Sequence, residues 1–342
     1  MNQFKSNHLF LKEIENSLLQ LKKKKIVVIG DLMLDHYLWG QVERISPEAP
    51  VPIVDIKKQE FRLGGASNVV NNLISLGANP FVIGLIGKDT NADYLVHILQ
   101  QHQVKTSYLV VDDSRPTTVK SRIFASSQQV IRYDIEEKKD ISLEIEKKIL
   151  EQLLIIIPQA DAVLLEDYNK GLLTEKIILK AIELANQFKI PITVDPKYKN
   201  FFTYQNCTVF KPNFVELQKN MGIDINNDQE LLTAAKELYQ RVKPLYLIIT
   251  LGDRGLIVLD NHQEITRIPT FAQEVFDVSG AGDTVISALT LCLAAKLDIR
   301  TSAIIANHAA GAVCGKRGIH AVTPEDIIAS VKLDRSYMEV HE

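Results

Sequence analysis

The chain has 342 residues, is 46% hydrophobic and carries a formal net charge of −3. Such a length holds one large α/β domain or two smaller ones, with enough apolar residues for a sizeable core. The slightly negative balance argues against nucleic-acid binding through the phosphate backbone, and no apolar run approaches the roughly 18 residues that read as a membrane span.

Cys207, Cys292 and Cys314 show neither paired metal spacing nor a disulfide pattern, which suits a reducing compartment. No leader-like segment is visible, so a soluble cytoplasmic protein is expected. Residues 1–21 predict an amphipathic helix, ended by the lysine run 22–25, a solvated charge cluster. Ile26 to Ile29 form a continuous apolar run, the mark of a strand buried on both faces. Asp31 and Asp35 follow, placed in the loop leaving that strand's carboxyl end. Asp31 reads as a turn residue. Pro47, Pro50 and Pro52 forbid a helix or a central strand and predict an edge strand or lid through residues 53–56. Gly64 and Gly65 then open a helix that stops at Gly77. Asn68, in its first turn, is either a sugar-binding amide or a cap.

A strand over 81–86 and a helix over 91–101 come next. Segments 108–111, 117–124 and 129–134 are β-rich and, with 51–56, predict a small second sheet. Lys120, Arg122 and Arg132 give it a cationic face, either ordinary surface charge or a site for an anionic substrate. From residue 142 helices and strands alternate, with strands over 162–166, 191–195, 207–210 and 245–250. Alternation means parallel strands with helices on both faces. Polar residues recur at the strand ends, in Glu166-Asp167, Asp195-Pro-Lys197, Lys211-Pro-Asn213 and Thr250-Leu-Gly252, and predict a lined crevice along one sheet edge. A hairpin over 255–268, two closing helices over 283–297 and 299–313, and a mobile tail complete the reading.

The stretch from Asp277 to Thr284 is the sharpest chemical signal. Gly280, Ala281 and Gly282 leave main-chain N–H groups bare at a helix start, an arrangement that cradles anions. Asp283 at the mouth of that nest is either a helix cap or a base that takes a proton from an attacking hydroxyl. A dinucleotide fingerprint is excluded, because the third glycine is missing and no acid follows about 20 residues on. The segment from Gly311 to Arg317 has the wrong spacing for a lysine-bearing phosphate loop.

The Gly64-Gly65 element and Asp277-Val-Ser-Gly-Ala-Gly-Asp283, in that order, resemble the signatures of the ribokinase-like (PfkB) sugar kinases. The resemblance runs from Gly30 to about Val331. It implies one α/β/α domain around a mostly parallel sheet, with a β lid from about 40–62 and 107–134. Within the family, Gly30 to Asp35, Arg44 to Pro52, Gln128 to Asp134 and Asp167 to Gly171 look most like kinases that phosphorylate O1 of D-glycero-D-manno-heptose 7-phosphate. The implied product is a 1,7-bisphosphate precursor of ADP-heptose and lipopolysaccharide, and the implied form is the stand-alone kinase.

By the same resemblance Asp283 is the catalytic base and Gly280, Ala281 and Gly282 form the anion hole. Asp35, Gly64, Gly65 and Asn68 bind sugar. Asn213 and Glu216 organise Mg²⁺ through water, with ATP as phosphoryl donor. Thr250, Gly252, Asn307 and His308 line the nucleotide site, and Lys170 and Lys197 join Lys120, Arg122 and Arg132 on the sugar phosphate. A monovalent cation beside Asp277 and Ser279 is left open. A homodimer through the β lids is expected. The alternatives are a kinase for another sugar or sugar phosphate, and a nucleotide-binding protein without catalysis.

Overall fold

The computed structural model describes residues 7–126, 128–262, 264–271, 277–316 and 320–334. The first residues of the expected N-terminal helix, residues 272–276 before the nest, and the expected mobile tail fall outside them. In chain order the elements are α1 (Asn7–Gln20), β1 (Lys25–Gly30), β2 (Leu32–Ile45), β3 (Pro52–Gly65), α2 (Ala66–Ser75), β4 (Asn79–Ile86) and α3 (Thr90–Gln101). Then come β5 (Leu109–Val111), β6 (Val119–Ala125), β7 (Gln128–Ile135), α4 (Leu143–Ile156), β8 (Ala162–Glu166), α5 (Glu175–Phe188), β9 (Ile192–Asp195) and β10 (Val209–Phe210). The remainder is α6 (Phe214–Met221), α7 (Asp228–Val242), β11 (Tyr246–Thr250), β12 (Leu256–Leu259), β13 (Ile265–Ile268), α8 (Ala281–Ala294), α9 (Ile299–Cys314) and α10 (Pro324–Leu333).

Nine strands form the main sheet in the order β13-β12-β11-β10-β9-β8-β1-β4-β5, parallel from β11 to β5 and antiparallel at the β12-β13 edge. Both faces are covered, which is why β1 reads as unbroken apolar sequence. Ile26 and Val28 enter the core on one face, Val27 and Ile29 the core on the other. From β1 the chain winds outward through β4 and β5, and from β8 it winds the other way. The point of reversal lies between β1 and β8, where Gly30 pairs with Glu166. Ligand crevices of open α/β sheets form outside the strand carboxyl ends at such a switch. The structure is a ribokinase-like α/β fold, and among the described residues no helix is long and apolar enough to cross a membrane.

The second sheet has the order β3-β2-β6-β7. Two expectations change here. Residues 109–111 pair in parallel with β4 at the edge of the main sheet, so the small sheet does not include them. Asp35 does not sit in a loop: β2 continues through it to Ile45, pairing with β3 on one side and β6 on the other. Pro52 begins β3, an edge strand, where its missing N–H leaves no ladder bond unmade.

Candidate active site

Among α2 to α10, only α2 and α8 begin without a side-chain cap in the described structure. The others are capped by Asp89, Ser142, Thr174, Asn213, Asn227, Asp298 and Thr323. Uncapped starts leave orphan N–H groups, and these two helix starts meet. Asn68 in the first turn of α2 donates from Nδ2 to Asp283 Oδ2 in the first turn of α8, at 2.7 Å. Gly280 precedes α8 with φ 80°, a left-handed conformation that costs glycine little. The Ala281 N–H turns back to the Val278 carbonyl at 3.2 Å, and the N–H groups of Gly282 and Asp283 have no main-chain acceptor among the described residues.

Asp283 is buried, and neither of its carboxylate oxygens caps the helix. Oδ2 takes the Asn68 amide and Oδ1 takes the Tyr168 hydroxyl at 2.8 Å. Burial raises its pKa to about 6, opposed by those two donors and reinforced by Asp195. One oxygen each of Glu166, Asp195 and Asp283 lies within 4.8 Å of the others. Lys211 offsets part of this charge, its Nζ 2.9 Å from Asp195 Oδ2. Among the described residues Glu166 has no such partner. Burial, with Asp195 and Asp283 nearby, holds its pKa well above the carboxylate range, and Oε2 lacks a hydrogen-bond partner. Glu166, Tyr168, Asp195 and Lys211 are site residues that motif reading missed. The polar strand ends were the available signal for three of them, and the Asp167 to Gly171 stretch, which was given no role there, for Tyr168.

On the small sheet, Asp35 is buried and ion-paired with Arg122 across β2 and β6. Gly64 is dictated by this carboxylate, because a Cβ there would lie 2.4 Å from Asp35 Oδ2. Gly65 forms the uncapped start of α2. The expected cations differ in availability. Arg132 is bound to Asp134 through two N–H groups at 2.9 and 2.8 Å, and Lys170 holds Glu136 at 2.6 Å. Lys197 pairs with Glu216. Lys120 alone of the five has no carboxylate partner within ion-pair distance among the described residues. Burial, then Arg132 and Lys170, depress its pKa, so an arriving anion would relieve it.

On the opposite side, Asn213 and Glu216 form a capping box for α6. Each side chain accepts the other's main-chain N–H, at 2.8 and 2.9 Å. Glu216 is buried with both oxygens engaged, so direct metal ligation does not fit. Contact through a metal-bound water uses the remaining lone pairs and does fit Mg²⁺, which keeps much of its hydration. Thr250 ends β11 beside Asn213, and Gly252 follows with open space where a side chain would stand. Asn307 donates to the Pro269 carbonyl at 2.6 Å. His308 requires a correction: it is fully buried, stacked on Phe271 at 4.0 Å and hydrogen-bonded to Ser330 at 3.0 Å. Burial lowers its pKa to about 4, so it is a neutral wall residue and offers no surface to a nucleotide.

Solved structures share this architecture. Phosphofructokinase-2 from Escherichia coli, in complex with potassium, superposes with a TM-score of 0.75 at 19% identity, covering 91% of this chain and 99% of that one. Ribokinase from Arabidopsis thaliana, complexed with ribose and ATP, gives 0.71 at 17% identity over 91% and 99%. In sequence the chain is 44% identical over 306 residues to the bifunctional protein HldE of Aliarcobacter butzleri, covering 90% of this chain and 64% of that protein. It is 42% identical over 307 residues to the bifunctional protein HldE of Helicobacter pylori, covering 89% and 65%. The chain thus spans just under two thirds of these relatives' length. Residues 23–326 match the description "pfkB family carbohydrate kinase". With an acid poised over bare amides at the sheet's switch point and that match across most of its length, the chain belongs to the pfkB family of carbohydrate kinases, phosphotransferases whose acceptor is an alcohol.

Proposed function

We propose that the chain transfers the γ-phosphoryl group of ATP to the anomeric hydroxyl of D-glycero-D-manno-heptose 7-phosphate. The observation that carries the reading is Asp283: a buried carboxylate with its pKa raised to about 6, beside two amides at the start of α8 that no main-chain acceptor among the described residues claims. Such a group is mostly ionised at neutral pH, yet basic enough to accept a proton from a hydroxyl. As the sugar oxygen attacks phosphorus, its O–H bond breaks and the proton passes to Asp283. The γ-phosphoryl bond to ADP breaks on the far side. The N–H groups of Gly282 and Asp283 face the charge on the transferring group. Mg²⁺ bound with ATP would supply further neutralisation, and Asn213 and Glu216 would hold it through water. Asp35 and the α2 start orient the sugar, and the small sheet, acting as a lid, excludes water. Lys120 takes the distal phosphate.

A second reading has specific support. Arg122, Arg132 and Lys170 already have carboxylate partners, as they would where the acceptor carries no phosphate. An ADP-release screen decides between the two, with the heptose 7-phosphate, its dephosphorylated form and other sugar phosphates as acceptors. The first reading expects turnover to collapse when the distal phosphate is removed, and equal turnover on the dephosphorylated sugar selects the second. The same assay in sodium and in potassium tests a monovalent-cation site beside Asp277 and Ser279. We further propose a homodimer through the small sheets, supported by β7, an exposed edge strand that presents Ile131 and Tyr133 to solvent.

A further inference from the structure

Tyr168 lies in the Asp167 to Gly171 stretch, whose resemblance assigns it no role, yet its hydroxyl touches Asp283. Its loop follows β8 and is fixed from several sides. The main-chain N–H groups of Tyr168 and Lys170 both donate to Asp31 Oδ2, at 2.9 and 3.0 Å. The Asn169 N–H donates to Asp167 Oδ1 at 2.7 Å, and Asp167 Oδ2 takes the Tyr204 hydroxyl at 2.7 Å. Arg115 donates to the Lys170 carbonyl at 2.9 Å. The ring has the Lys120 ammonium 5.5 Å and the Lys197 ammonium 5.4 Å from its centre. A phenol mounted this firmly has little rotamer freedom left to lose. Burial, with Asp283 and Glu166 nearby, pushes its pKa well up, so it stays a hydrogen-bond donor at any working pH.

We propose that Tyr168 is a positioning residue for phosphoryl transfer, whose hydroxyl, opposite Asn68, holds the Asp283 carboxylate in the orientation and ionisation state in which it accepts the sugar's proton. This rests on the kinase reading above. The proton accounting is simple. The substrate's proton goes to a free lone pair of Asp283, since each carboxylate oxygen has two and each holds one donor here. Tyr168 keeps its own proton throughout. Five groups face the base: Asn68 from α2, Tyr168, Glu166 at the end of β8, Asp195 at the end of β9, and Lys211 after β10. The two donors and Lys211 favour the ionised form, and the two carboxylates oppose it. Deleting one donor moves the balance toward protonation.

The test is Tyr168→Phe in the full chain, with heptose 7-phosphate as acceptor. The acid limb of its rate profile should move up by about one pH unit, the shift expected for one lost hydrogen bond. On the alkaline plateau kcat should fall about 10-fold with KM for ATP unchanged. A second readout needs no acceptor: the ¹³C shift of the Asp283 carboxyl against pH, assigned with Asp283→Asn, should show the same displacement. Should Tyr168→Phe fail to fold, 3-fluorotyrosine at 168 keeps the shape and donates more strongly, so it should move the titration down. An Asp283 titration that stays in place in either variant overturns the assignment, even if the enzyme turns over. An unshifted rate limb alongside a displaced titration overturns it as well. If the titration moves but no acceptor releases ADP, the hydrogen-bonding part stands and the kinase reading is what fails.

Discussion

Lys211–Asp195 in the crevice and Arg132–Asp134 on the small sheet are ion pairs of nearly equal length, 2.9 and 2.8 Å. Their surroundings differ. The side chains of the first pair are 2% and 8% exposed, those of the second 42% and 28%. In the crevice, removing one partner leaves a charge stranded away from water. On the sheet, water replaces it. The comparison teaches that the acid cluster is held by the core and is unforgiving, whereas the small sheet tolerates change in its pairings.

The largest effect should come from the base. Asp283→Asn should lower kcat by about 10²–10⁴ while ATP binding, followed by calorimetry, is retained. Near-normal turnover would remove the functional reason for crowding acids at the switch point. Next, Lys211→Met should cost about 3–5 kcal/mol in urea unfolding, because Asp195 is left buried beside Glu166. A loss no greater than that of Arg132→Ala, about 1 kcal/mol or less, would erase the contrast between the two pairs. Within the small sheet, Lys120→Ala should raise KM for the sugar phosphate about 10-fold, since it removes one charge-assisted contact. Arg132→Ala should change KM far less, being committed to Asp134, and the reverse order would show that the arginine releases its partner for substrate. The smallest effect on chemistry should be that of Ile131→Glu. It should convert dimer to monomer in light scattering with kcat nearly kept, and an unchanged mass would place any interface elsewhere.

Much of the main sheet was legible because a strand buried on both faces has to be apolar throughout, as Ile26 to Ile29 and Ala162 to Leu165 are. The line of polar strand ends was legible for the same reason, since parallel strands put all their carboxyl ends on one edge. Leu109–Val111 was misassigned because three residues of apolar sequence carry no information about which sheet receives them. The length of β2 was hidden by Asp35, His36 and Tyr37, polar residues that a strand paired on both sides, by β3 and β6, can carry. In the sequence, Asn213 and Glu216 are marked only by the family resemblance, as a Mg²⁺-organising pair, and in the structure the same four residues form a capping box for α6. Tyr168 lies 115 residues from Asp283 in sequence, and nothing local marks a hydroxyl that acts at that separation.

Every residue of α8 from Asp283 to Cys292 is buried, and Thr290 is locked to Thr193 of β9 by hydroxyls 2.5 Å apart. A helix packed on all sides has no side open to trial and error. Anyone redirecting this scaffold to a different acceptor should leave that helix untouched and rewrite the crevice-facing rungs of β2 and β6, where a new contact can be installed without disturbing the machinery beneath.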